Sequence, residues 1–152
     1  MAPRFFTKAL KVPLSYLRET HDIQVTGYLD DSLYVNTDPE KLVEEVGIAA
    51  ELFQNLGFTI SVKKSVIKPT QCIEYLGFIL DSRDMTVTLP AEKTERLLAM
   101  TKLLRRLSKP SIRFVAQVEG SLSATRYATK FAMLYTKMME IDKIEALRNS
   151  RD

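Results

Sequence analysis

Residues 23–35 constrain the fold more than any other stretch of the chain. Ile23, Val25, Gly27 and Leu29 alternate with polar or amphipathic residues, Asp30 and Asp31 interrupt, and Leu33, Tyr34 and Val35 resume an apolar run. Alternation of period two belongs to strands, whose successive side chains point to opposite faces. Two short strands flanking two turn-favouring acids predict a β-hairpin. On both sides the period lengthens to that of a helix. Phe6, Leu10, Leu14 and Leu17 recur at helical spacing over residues 4–19, with Pro13 expected to kink that helix. Asp38-Pro39 places a cap and a first-turn proline ahead of a second helix. Its apolar stripe is Leu42, Val46, Ala49, Phe53 and Leu56, and Gly57 stands where a helix stops.

Further on, residues 58–62 predict another strand, and residues 73–81 and 85–89 predict a strand pair around Ser82-Arg83-Asp84. After Pro90 the pattern is helical throughout. Leu97, Met100, Leu104 and Leu107 line one face, and Lys109-Pro110-Ser111 is a stop followed by a new N-cap. Phe114, Val118 and Leu122 continue the pattern, and a third amphipathic stretch runs over residues 128–147. The fold class is therefore α+β, with an α+β part over residues 1–89 and an all-helical part over 90–152.

Composition narrows the function classes. The chain is 45% apolar and 27% charged, ordinary for a globular protein and unlike a disordered one. No run approaches the roughly 18 apolar residues of a membrane span, and the basic residues spaced through positions 1–13 do not fit a signal peptide. The expected location is intracellular, cytoplasmic or nuclear, with no membrane partner. One cysteine, Cys72, and one histidine, His21, exclude a disulfide framework or a zinc cluster within the chain. The net charge of +3 is unevenly spread. Residues 92–137 hold ten Lys/Arg against three Glu, a local +7, whereas residues 38–51 hold five acids against Lys41. The basic segment suits a phosphate-rich partner, and equally a solvated helix face.

Asp30 and Asp31 are the sharpest chemical feature. Adjacent carboxylates in a strand-to-strand turn project from a rigid frame, and hard cations such as Mg²⁺ take oxygen ligands of this kind. Two such ions serve phosphoryl transfer by activating a hydroxyl and stabilising the leaving oxygen. Aspartate is also simply a good turn residue, so the pair alone leaves both readings open.

The order of motifs around the pair carries more weight. Tyr28-Leu29-Asp30-Asp31 is followed by the predicted helix, then Leu56-Gly57-Phe58, Lys63-Lys64-Ser65 and Tyr75-Leu76-Gly77-Phe78. This order resembles a reverse transcriptase: YLDD is similar to its YxDD box, LGFTISVKKS to the next motif, and EYLGFIL to the motif that grips the primer. Residues 2–8, APRFFTK, are similar to the end of the motif contacting template and incoming nucleotide. The run from Tyr75 through Ser82 to Lys93 looks closest to DIRS-like, tyrosine-recombinase-encoding retrotransposons. The resemblance covers essentially the whole chain.

That resemblance implies a partial palm (helix, YxDD hairpin, helix, further hairpin) followed by a helical thumb. It implies an RNA-directed DNA polymerase that acts on an RNA or DNA template–primer and dNTP through two Mg²⁺ ions. Asp30 would ligate the metals and Asp31 support the site. Lys64, or the adjacent Lys63, would protonate the leaving pyrophosphate. Tyr28 would lie by the primer terminus, Pro3 and Phe6 by template and nucleotide, and Leu76, Gly77 and Phe78 in the primer-gripping turn. Without the family, Tyr75, Leu76 and Phe78 are core strand residues and Lys64 a solvated strand-end lysine. Arg105, Arg106 and Arg113 are the candidates for contacts with the duplex backbone. The family's first metal-binding aspartate and its fingers are expected upstream, since no aspartate precedes Asp22. The isolated chain is then expected to be inactive, its hairpin edge open to pairing with another chain, for example one supplying the missing part. The alternative is a non-catalytic nucleic-acid-binding or subunit-interaction module of the same descent.

Overall fold

The structure, a computed structural model, describes residues 2–150, the side chains of residues 2 and 3 excepted. The elements run α1 (Ala2–His21), β1 (Val25–Tyr28), β2 (Asp31–Tyr34), α2 (Pro39–Asn55), β3 (Cys72–Tyr75), β4 (Phe78–Asp81), β5 (Thr86–Thr88), α3 (Ala91–Arg106), α4 (Ile112–Ser123) and α5 (Ala132–Asn149). The class is α+β. Contacts group the chain into two compact units, residues 1–70 and 71–152.

In the first unit, the stripe expected on α1 becomes the core. Leu10, Leu14 and Leu17 pack with Ile23 and Val25 of the hairpin and with Ala49 and Phe53 of α2. Removing that much apolar surface from water is the main force holding a hairpin only four residues long per strand. Two polar contacts add direction: the Arg18 Nε donates to the Val25 carbonyl at 2.9 Å, and Ile23 N–H to the Leu17 carbonyl at 3.2 Å. Helix α2 starts as the sequence predicts. The Asp38 carboxylate accepts from the N–H of Glu40 at 2.9 Å and of Lys41 at 3.4 Å, and Pro39 follows it. Leu56, expected on the apolar stripe, is exposed, because it is the C-cap beyond the last turn that faces the core.

Residues 58–62 do not form the expected strand. A strand needs a neighbour for its backbone groups, and none lies alongside among the described residues. Phe58 instead turns its ring onto Phe6 and Phe53, at centroid distances of 6.1 and 5.5 Å, and the chain closes into a 3-10 turn at Val62–Lys64.

In the second unit, residues 73–81 are not one strand. They fold on themselves at Leu76-Gly77, so β3, β4 and β5 make a three-stranded antiparallel meander. Leu76 and Gly77 both take positive φ, 51° and 74°, as a two-residue hairpin turn demands. After β4, side-chain and backbone hydrogen bonds from Arg83 hold the Asp81 carboxyl below its usual range and shape the next turn. Helix α4 is capped by Ser111, whose hydroxyl accepts from Phe114 N–H at 3.3 Å. It packs against both α3 and α5, with Val118 fully buried and Lys143 of α5 paired with Glu119 of α4. The last helix begins at Ala132 and not near 128, because residues 124–131 form turns ending at Phe131 in a left-handed conformation, φ 61°. Among the described residues no helix is long and apolar enough to cross a membrane.

Candidate active-site hairpin and its surroundings

The hairpin pairs Val25 with Tyr34, Thr26 with Leu33, Gly27 with Ser32 and Tyr28 with Asp31. The bend therefore consists of Leu29 and Asp30, one residue earlier than the acidic pair suggested, and Asp31 already belongs to β2. Residues 25 and 27 point to α1: Val25 is buried, and a Cβ added to Gly27 would fall 2.7 Å from Leu14 Cδ1. Tyr28 and Asp31, directly opposed, share the other face. Tyr28 is 59% exposed, and both aspartates are exposed with no ion pair among the described residues.

The tip is strained. Leu29 takes φ 52°, a region in which a side chain with a Cβ costs about 1–2 kcal/mol. Glycine or asparagine is the usual occupant of such a bend.

The base of the hairpin is locked to α2. Val35 N–H donates to the Gln24 carbonyl at 2.9 Å, adding one rung beyond the strands. The Asn36 amide then donates to Glu45 Oε1 at 2.7 Å, while its own Oδ1 accepts from Asp38 N–H at 2.9 Å. Glu45 is only 4% exposed; Lys41 Nζ lies 3.8 Å from the same Oε1, and among the described residues its Oε2 has no hydrogen-bond partner. Asn36 and Glu45 were not legible as site-supporting residues; an acid within an acidic helix reads as solvated. Tyr34 packs against the core, and burial raises its phenol pKa, opposed by a hydrogen bond with Ser32.

Other expected site residues fall in several places. Phe6 packs on Phe58 and is 37% exposed. The side chain of Pro3 lies outside the described residues. Lys63 and Lys64 are exposed in the 3-10 turn of the same unit, and neither is ion-paired to Asp30 or Asp31. In the second unit, Leu76 is 44% exposed at its turn. The Gly77 carbonyl accepts from Lys93 Nζ at 3.3 Å, and that ammonium also lies 4.7 Å from the centroid of the Phe78 ring. Lys93, sixteen residues from Gly77, was visible in the sequence only as one charge among ten. Arg105 and Arg106 occupy the last turn of α3, where cations also suit the helix dipole, and Arg113 is exposed in the first turn of α4. None of these three arginines makes an ion pair among the described residues.

Asp30 and Asp31 are the hard oxygen donors that Mg²⁺ takes. No group of three or more His, Cys, Asp or Glu able to hold a metal exists among the described residues. Among the described residues, then, no third such ligand joins Asp30 and Asp31.

Fold and site together define an α+β protein that presents an acid-tipped β-hairpin beside a core helix. A family model described as reverse transcriptase (RNA-dependent DNA polymerase) matches residues 1–80, a span that includes the hairpin, Lys63-Lys64 and the Leu76-Gly77 turn. The match exceeds half of the 152 residues, and the chain belongs to the reverse transcriptase family. Among curated proteins none matches it.

Proposed function

We propose that these 152 residues are the hairpin-bearing palm and the thumb of a retroelement RNA-directed DNA polymerase, of DIRS-like kind, with palm over 1–89 and thumb over 90–152. The observation that carries this reading is the hairpin tip. A leucine held at φ 52° sets two exposed carboxylates, without an ion pair among the described residues, beside Tyr28 in a chain of reverse transcriptase descent. In the complete enzyme Asp30 and Asp31 would hold part of a two-Mg²⁺ site, which supplies the Lewis acidity for transfer to a primer 3′-OH. Tyr28 would abut the primer end, with Pro3 and Phe6 toward template and dNTP. Lys64 or Lys63 would serve as general acid. Leu76, Gly77 and Phe78 would hold the primer strand, and Arg105, Arg106 and Arg113 the duplex phosphates.

On this reading a further segment or another chain would supply the remaining donors. We therefore expect the purified 152-residue chain to extend no primer in Mg²⁺. Extension that is abolished by Asp30→Asn would overturn the incompleteness of the site. A second reading, a non-catalytic nucleic-acid-binding module, is favoured by one observation: among the described residues Arg105, Arg106 and Arg113 make no ion pair, and no third metal-ligating group joins Asp30 and Asp31.

A further inference from the structure

Between Glu119 and Glu140 the chain carries no acid, three cations (Arg126, Lys130, Lys137) and three large aromatics (Tyr127, Phe131, Tyr135). These aromatics are not core. Tyr127 is 67% exposed, Phe131 60% and Tyr135 72%. Exposing so much ring surface in one short segment is unfavourable unless something covers it.

The connection between α4 and α5 arranges these groups in cation–aromatic pairs. The Arg126 guanidinium lies 4.7 Å from the Tyr127 centroid and donates to the Tyr127 hydroxyl at 2.6 Å. The Lys130 ammonium lies 5.3 Å from the Phe131 centroid. Tyr127 in turn meets the edge of Phe78, at 6.0 Å and 86°, and Phe78 carries Lys93 at 4.7 Å. The platform is thus continuous with the Leu76-Gly77 turn within the second unit. Phe131 keeps a left-handed backbone at its edge, φ 61°.

Aromatic faces interleaved with cations, with no acid within the connection itself, are what a single-stranded nucleic acid needs. Its bases are unpaired and stack on rings, while its phosphates track the cations. A duplex offers no free base face, and an apolar protein partner makes no use of Arg126 and Lys130. We propose that the α4–α5 connection binds single-stranded nucleic acid, with Tyr127 and Phe131 stacking bases and Arg126 and Lys130 holding phosphates. The site is separate from the hairpin and does not depend on the chain having or lacking polymerase activity.

The test is fluorescence anisotropy of a short fluorescein-labelled oligothymidylate titrated with the full chain. Tyr127→Ala and Phe131→Ala are each expected to weaken binding about 5- to 150-fold, the range for loss of one stacked base. Tyr127→Phe, which keeps the ring and loses the hydroxyl, is expected to bind within about twofold of the parent. Arg126→Ala with Lys130→Ala is expected to lower the slope of log affinity against log salt by roughly 1.4, about 0.7 for each phosphate released. Circular dichroism checks that each variant keeps its helices. Parent-like binding by both aromatic variants would overturn the proposal, as would equal affinity for a duplex of the same length. So would a platform that proves to be a self-association surface: light scattering showing a dimer that Tyr127→Ala dissolves, with no oligonucleotide binding.

Discussion

Gly27→Ala tests how closely the acid-tipped hairpin is seated on α1. The added methyl would lie 2.7 Å from Leu14 Cδ1. Carbon atoms rest about 3.5–4.0 Å apart, so roughly 1 Å must be found by moving Leu14 or lifting β1. Leu14 is 7% exposed and is surrounded by the core of the first unit, which leaves little room for it to turn. Overpacking of this kind costs about 1–3 kcal/mol. Leu14→Ala alone should cost about 2–5 kcal/mol through the cavity it leaves. Together the two changes partly cancel, since the new methyl occupies space that Leu14 vacates, and the double variant should fall short of the sum by about 0.5–3 kcal/mol. Amide hydrogen exchange at residues 25–28, with urea unfolding of the four proteins, measures both quantities. Unchanged exchange in Gly27→Ala, or strict additivity, would show that β1 and Leu14 are not in the tight contact described. In an assembled polymerase the same shift at Asp30 and Asp31 should lower the rate on the order of 10²-fold.

Asn36→Ala should destabilise the first unit by about 1–3 kcal/mol in thermal unfolding, because it leaves a buried carboxylate with only the longer 3.8 Å ion pair from Lys41 on its Oε1; no change would mean that Glu45 is solvated. Burial raises the Tyr34 phenol pKa, so its neutral form is favoured by folding. That contribution is complete below about pH 10 and is lost as pH rises through the folded value. Tyr34→Phe should therefore flatten the alkaline fall in stability, and an unaltered pH profile would contradict this. Replacing Arg105 and Arg106 together by Ala should weaken duplex binding and reduce its salt slope by roughly 1.8, about 0.9 per phosphate contact; binding indifferent to salt would remove both from the interface.

Much of the fold was legible because it is written in local periodicity. Leu10, Leu14 and Leu17 fall on one helical face, Asp38-Pro39 caps α2, and the alternation from Ile23 onward forms the hairpin. The errors lie where non-local pairing decides. Residues 58–61 have strand-like composition, but they find no neighbouring strand and pack their aromatic ring on Phe6 and Phe53. The apolar run at 73–81 reads as one strand by periodicity, which does not place Leu76 at positive φ; the turn there was implied only by the family resemblance. At the candidate site, the exposure of Asp30 follows from its place in the bend and that of Asp31 from the outward face of β2. The hold of Lys93 on Gly77 and the edge contact of Tyr127 with Phe78 join residues 16 and 49 positions apart, and periodicity carries no trace of either.

The most direct measurement is a Mn²⁺ titration of the isotopically labelled chain, followed by paramagnetic broadening of its amide signals. Weak broadening centred on residues 28–32, and absent in Asp30→Asn with Asp31→Asn, is the predicted result for a hairpin that offers two ligands of an unfinished metal site. Uniform broadening, or a centre at the acidic face of α2 that both substitutions leave unchanged, would contradict it.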